Sequence, residues 1–317
     1  MGVLITIISR VFSLFAPRLI GDSLTAVENF LTNHQGDLAM LKTLLIKNIL
    51  IIIGATLLSG FFTFLMRQTI INVSRYIEFD LKNEIFSYYQ KLSQRFYKNN
   101  RTGDLMNRIS EDVSKVRMYV GPAIMYSINT VTLFICVISI MFSIAPKLSI
   151  FTLIPLPLLS FTIYKLSRVI NIRSTVVQEM LSNLSSYAQE TFSGISVIKS
   201  YGMENISYKK FDHFALESKE KNMNLVKVQA WFFPLMILLI GLSNLIVIFI
   251  GGQQYMSGEI EIGVLAEFII YINMLTWPVA VVGWVTSVVQ QAEASQKRIN
   301  TFLNEPLEIR DGSGVDV

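Results

Sequence analysis

The sequence predicts an all-α membrane protein, with six transmembrane helices continued into long cytoplasmic helical extensions. Three observations carry this. First, the 317-residue chain is 52% hydrophobic and 16% charged, where an ordinary soluble domain carries about 25% charged residues. Second, charge is missing from intervals long enough to cross a bilayer. Third, the basic residues concentrate in two long loops. Disordered, collagenous and disulfide-scaffold classes are excluded by this composition, and the single cysteine, Cys136, cannot form an internal disulfide.

A hydrocarbon core of about 30 Å needs about 20 mostly apolar residues in a helix. Five intervals hold no Asp, Glu, Lys or Arg: Asn48 to Met66, Met118 to Pro146, Leu148 to Tyr164, Val228 to Gly258 and Phe268 to Ala292. A soluble chain of this length would not bury five such helices without amphipathic ones around them. A sixth apolar stretch, Gly2 to Ile20, is interrupted by Arg10, Pro17 and Arg18. It lacks the basic segment that opens a signal peptide, so it reads as a spanning helix in which Arg10 must pair, snorkel or face water. The spans are therefore placed at 2–20, 44–66, 119–145, 148–164, 231–251 and 263–289.

Ten Lys or Arg fall in Arg67 to Arg117 and nine in Lys165 to Lys227, against one in Gly21 to Thr43 and none in Gly251 to Ile262. The positive-inside rule makes the two long loops cytoplasmic, and both termini with them. Neither loop contains proline. Apolar residues recur at helical spacing in both, as Ile77, Leu81 and Ile85 in the first and Val169, Ile172, Val176 and Met180 in the second. A helix continued from Leu44 to Leu92 would be on the order of 70 Å long, which projects well beyond the membrane.

Each arm is interrupted once. In the first, the helical pattern breaks at Lys98-Asn99-Asn100-Arg101-Thr102-Gly103-Asp104, which is turn chemistry, with Asp104 placed to cap the returning helix. In the second, Glu190 to Glu204 is a short mixed piece between two long helices. Phe96-Tyr97 through Arg108 follows a pattern F-[FY]-x-x-x-[KR]-T-G-D-L-x-x-R, and Glu190 through Lys199 a pattern E-x-x-x-G-x-x-x-[IV]-K. With the ending Gln291 to Ile299, these motifs make the chain resemble the transmembrane domain of exporter-type ATP-binding cassette transporters over essentially its whole length.

The resemblance implies two coupling helices that dock into nucleotide-binding domains. Thr102, Gly103, Asp104, Leu105 and Arg108 would form or flank the first, and Glu190, Gly194, Ile195, Val197 and Lys199 the second. It also implies a transmembrane domain over 1–304, a linker beginning at 305–317, and an integral protein of the bacterial inner (cell) membrane. The expected partners are a second copy of the chain in a homodimer, a nucleotide-binding domain in cis or in trans, and membrane lipid. The motor itself is missing from the sequence. No G-x-x-x-x-G-K-[ST] phosphate-binding loop occurs, so no cofactor is expected in this chain, and ATP and Mg belong to the nucleotide-binding domain. The tail Glu305 to Val317 resembles a linker cut partway, and a separately encoded ATPase is the alternative.

His34 and His213 are isolated from any Cys or carboxylate cluster, so no metal site is expected. The acids interleaved with the arms' basic residues argue against nucleic acid. Polar and aromatic residues of the last span, Glu267, Asn273, Trp277, Trp284 and Ser287, with Gln290 just beyond, are the candidates for a substrate pathway, because polar groups at membrane depth prefer a bundle interior or cavity. The function expected is the membrane half of an ATP-driven exporter of lipids, drugs or peptides. A regulator or channel on the same fold, or an unrelated six-span secondary transporter, are the alternatives. The latter would usually show inverted repeats or charged residues at mid-membrane, and no such repeat is seen.

Overall fold

The computed structural model describes residues 2–33 and 38–308; His34 and the tail beyond Glu308 lie outside the described residues. Long apolar runs give long helices that continue through Gly54, Gly60 and Pro278, in the order α1 (Gly2–Ser13), α2 (Phe15–Asn33), α3 (Leu38–Lys91), α4 (Gln94–Asn99), α5 (Thr102–Asn107), α6 (Val113–Met118), α7 (Ile124–Ile144), α8 (Pro146–Leu153), α9 (Pro155–Ser193), α10 (Ile195–Ser200), α11 (Glu204–Ala230), α12 (Phe232–Ile246), α13 (Gly252–Met256) and α14 (Ile262–Leu303). Wider π-helical turns at Arg108–Asp112, Tyr119–Ala123 and Val247–Gly251 link consecutive helices. Among the described residues there is no strand. Six helical stretches are long and apolar enough to cross a membrane: Gly2–Thr32, Leu38–Lys91, Thr102–Ile144, Pro146–Ser193, Glu204–Met256 and Ile262–Leu303.

The first of these is broken at buried Leu14. Pro17 supplies the cause, since its ring clashes with the carbonyl four residues back, that of Ser13. Arg10 pairs inside the protein: its guanidinium donates to the side-chain oxygen of Asn129 on α7. The helix α3, 54 residues long, measures about 80 Å at 1.5 Å per residue.

The chain divides into two compact units, one of Met1–Ile150 with Val247–Val317, the other of Phe151–Ile246. In the first unit α14 forms the centre, with Phe268, Tyr271, Ile272 and Leu275 fully buried. Its start lies against α2 so closely that a Cβ on Gly263 would stand 2.2 Å from the Gly21 carbonyl oxygen, and the Gly263 amide donates to Thr25 Oγ1 at 3.2 Å. Small residues of this kind let helix backbones approach where the surrounding lipid gives no hydrophobic drive to associate. The same device joins α1 to α3, where Ser9 Oγ donates to the Ser59 carbonyl at 3.0 Å and lies 2.8 Å from Thr63 Oγ1. In the second unit α9 packs against α11 and α12, with α10 between α9 and α11 in the chain.

Candidate coupling tips and membrane groove

The first arm turns at two short helices. α3 ends at Lys91, Ser93 starts α4, and Asn100 and Arg101 are extended before α5 begins. The expected cap differs from the one found. Arg101 occupies the N-cap position without a side-chain bond, and Asp104 sits within the first turn of α5. There its charge complements the positive end of the helix dipole. Thr102, Gly103, Asp104, Met106 and Asn107 are exposed, while Leu105 is buried and anchors α5. Tyr89 Oη donates to the Leu105 carbonyl at 2.7 Å, and Tyr97 Oη to the Tyr89 carbonyl at 2.5 Å. Burial pushes the Tyr89 hydroxyl above its ordinary pKa, so it stays a donor across the working range of pH.

Beneath α5 the end of α14 completes a small core of Ile85, Val113, Val116, Ile299 and Phe302. Phe302 lies 4.6 Å from the Tyr89 ring and 5.4 Å from that of Tyr88, centroid to centroid, and the Arg108 guanidinium stands 5.2 Å from its own centroid. The residues after α14 hold to the same arm, where Tyr88 Oη donates to the Glu305 carbonyl and Ser93 Oγ meets the Glu308 carboxylate at 2.5 Å.

A charged knot fastens this assembly. Asp112, buried in the π-helical turn after α5, accepts from Ser295 Oγ at 2.9 Å and from Arg298 Nε at 3.0 Å, with a second bond from the Arg298 guanidinium. Burial acts to raise the Asp112 carboxyl, but the bonds from Arg298 and Ser295 outweigh it and hold the group below the usual carboxylate range. A second pair crosses within the first arm, from Arg117 of α6 to Glu78 of α3 at 3.5 Å. Bonding to Lys82, then to Arg75, lowers the Glu78 carboxyl despite burial. Asp112 and Arg298 were not legible as a pair, since 186 residues separate them. The one sequence signal is Ser295 and Arg298 at i, i+3, which share a helix face.

In the second unit α9 ends at Gly194, α10 follows at once, and Tyr201-Gly202 turns the chain into α11. Gly202 has φ +60°, and the Met203 amide closes the turn on the Ile198 carbonyl at 2.9 Å. None of the α10 side chains is buried. Ile195, Val197 and Lys199 are exposed, as are Glu190, Phe192 and Tyr201 beside them. Further along, Tyr187 Oη lies 3.2 Å from Ser207 Oγ and the Tyr187 ring packs on Phe214, which ties α9 to α11.

The pathway candidates divide. Asn273, Trp277, Trp284 and Ser287 fall within about 80° of one another around α14 at 100° per residue. Trp277 and Trp284, with Tyr126 and Val281, line an apolar groove of about 370 Å³, and the Tyr126 and Trp284 rings meet edge to face at 5.6 Å. Asn273 and Gln290 are exposed outside this groove, and Ser287 is half-buried. Glu267 lies on another face of the helix, buried against Gly21 of α2. Among the described residues no group of three or more His, Cys, Asp or Glu side chains could hold a metal ion.

These features accompany a direct match. Residues 1–279 match the ABC transporter transmembrane region. The chain belongs to that family. It is similar to the multidrug resistance-like ATP-binding protein MdlA of Buchnera aphidicola subsp. Baizongia pistaciae, 30% identical over 84% of this chain and 46% of the relative. To MdlA of Escherichia coli K12 it is 30% identical over 71% of this chain and 39% of the relative. To the ATP-dependent lipid A-core flippase of Syntrophus aciditrophicus it is 29% identical over 71% of this chain and 37% of the relative. The chain thus matches less than half the length of each. It is an integral membrane protein of the exporter branch of the family.

Proposed function

We propose that this chain is the membrane half of an ATP-driven exporter, forming the path for a lipid, drug or peptide and receiving force through α5 and α10. The observation that carries the reading is the pair of long helical arms, each ending in a six-residue helix, with Thr102, Gly103 and Asp104 exposed on one and Ile195, Val197 and Lys199 on the other. A stiff lever with a free contact patch at its end serves to pass on movement made elsewhere. The names of the relatives, a lipid A-core flippase and multidrug resistance-like proteins, support lipids and drugs as cargo classes. ATP and Mg would bind in the nucleotide-binding domain, joined in cis or supplied in trans. Two copies would enclose the pathway, with arms and termini in the cytoplasm of a bacterial cell, as the basic loops indicate. The groove of Trp277, Trp284 and Tyr126 supports a pathway face on α14, with Asn273 and Ser287 on the same side and Glu267 acting within the helix bundle.

The test replaces Ile195 and Val197 together by Glu in the transporter assembled with its nucleotide-binding domain. Both side chains are exposed, so thermal unfolding of the membrane chain is expected to stay within about 0.5 kcal/mol of wild type. Cargo-stimulated ATP hydrolysis is expected to fall at least about tenfold, the loss of two apolar contacts at an interface centre. Undiminished stimulation would remove α10 from the force path.

A further inference from the structure

On the second unit, Thr162, Leu166, Val169, Arg173 and Val176 recur along α9 at steps of four and three and so line one face of the helix. The membrane end of this stripe is an apolar groove of about 260 Å³ lined by Phe161, Thr162, Lys165, Leu166 and Val169, with Lys165 Nζ 4.7 Å from the centroid of the Phe161 ring. Its far end is a polar pocket of about 310 Å³, where Arg173 and Val176 of α9 face Lys221 and Asn224 of α11. Arg173 donates to the Asn224 carbonyl, which fixes its guanidinium at the pocket wall. Arg173 and Lys221 are both half-buried, and among the described residues neither makes an ion pair. Glu179 on α9 and Glu217 and Glu220 on α11 lie nearby in sequence but pair with neither. Two cations that line one pocket, neither held in an ion pair, make a site for a doubly coordinated anion, and guanidinium is suited to phosphate oxygens.

The position selects the anion. Exposed Tyr164 ends the apolar run of α9 and exposed Trp231 stands immediately before that of α12, where aromatic side chains mark the membrane–water interface. Arg173 follows Tyr164 by nine residues, about 13 Å along the helix. Because side chains on a helix lean toward its N-terminus, Arg173 reaches back toward the bilayer, and the exposed basic side chains of Lys165 and Arg168 fill the interval. The stripe thus carries an apolar groove ending at Val169 and, one helical turn further along α9, a polar pocket beginning at Arg173. We propose that α9 and α11 form a binding site for an anionic phospholipid of the leaflet adjoining the arms, with its phosphate between Arg173 and Lys221 and an acyl chain along Phe161 to Val169. This lipid is a resident ligand on the outside of the second unit and is distinct from cargo. The inference rests only on the chain spanning a bilayer.

The experiment is a lipid titration of the whole purified chain by native mass spectrometry, with phosphatidylglycerol, phosphatidylcholine and inorganic phosphate as separate arms. Wild type is expected to bind phosphatidylglycerol in preference to phosphatidylcholine. The Arg173→Ala/Lys221→Ala variant is expected to lose about 30-fold in phosphatidylglycerol affinity, the effect of removing two near-surface basic side chains. The Arg173→Lys/Lys221→Arg variant keeps the charge and is expected to recover most of it, which separates lost binding from lost folding. Equal loss in Lys209→Ala/Lys219→Ala, which removes the same charge from exposed positions of α11, would overturn the proposal. So would no preference between the two lipids, or displacement of the lipid by equimolar inorganic phosphate. Chain that inserts normally but fails these arms refutes the site alone, whereas chain that does not insert refutes the membrane reading beneath it.

Discussion

α5 and α10 are both six-residue helices at the ends of long arms, yet they are held in opposite ways. α5 is pinned from below by its own unit: Leu105 is buried, Tyr89 donates to its carbonyl, and Phe302 and the Asp112–Arg298 bonds bring the end of α14 against the same turn. α10 buries nothing and is held by backbone bonds at its two ends. The difference teaches that the two tips cannot answer a push alike. Movement at α5 is shared at once with α14 and the residues that follow it, while α10 moves with α9 and α11 alone unless something outside its unit covers it.

The largest expected break in this contrast is Leu105→Ala. Removing the one buried side chain of α5 leaves a cavity and forfeits its transfer energy, about 3 kcal/mol for a core leucine. The loss is local, so amide hydrogen exchange across Thr102–Asn107 is the measurement. Exchange there should accelerate roughly a hundredfold, while amides of α10 keep their wild-type rates. Unchanged exchange at α5 would mean that its position does not depend on the leucine anchor.

A smaller effect is expected from Arg298→Ala, which strands a buried carboxylate whose bonds to a charged partner are worth about 2 kcal/mol. The same pair sets a pH dependence. The folded Asp112 carboxyl lies below its ordinary value of 3.8, so the unfolded state binds the proton more readily. The pair's contribution is complete well above 3.8 and is lost as pH falls through the depressed folded value. Between pH 7 and 5 the difference in unfolding temperature between wild type and Arg298→Ala should be flat, and it should close under more acidic conditions. A difference that grows on acidification would reverse the sign and refute the pairing.

The helical class and the basic, projecting arms were legible because both depend on local patterns, a missing charge or a recurring apolar residue. The brace under α5 was not. Phe302 and Arg298 read in sequence as the continuation of a last helix, and Asp112 as the resumption of a first arm; only folding brings them together across more than 180 residues. The π-helical turn at Arg108–Asp112 was equally hidden, since one extra residue in a helical turn leaves the apolar periodicity almost unchanged. Among the pathway candidates, periodicity places Asn273, Trp277, Trp284 and Ser287 on one side of α14. It could not show that Glu267, on another side, meets a helix whose glycine leaves room for it.

The smallest effects test the tips through their glycines, and here the two signs should differ. Gly202 adopts φ +60° where α10 hands over to α11, and a Cβ there would meet nothing within 4 Å. Gly202→Ala therefore costs backbone strain alone, about 1 kcal/mol for an L residue in the left-handed region. Gly103, in the first turn of α5, also has nothing within 4 Å of a Cβ, and its φ is not positive. Gly103→Ala should accordingly stabilise α5 by up to about 1 kcal/mol, because glycine is the poorer helix former and loses more chain entropy on folding. Hydrogen exchange should slow at one tip and quicken at the other in the two variants. If Gly202→Ala left α10 as protected as before, the turn would have another conformation open to it, and the left-handed backbone at Gly202 would not be what sets the angle of α10 to α11.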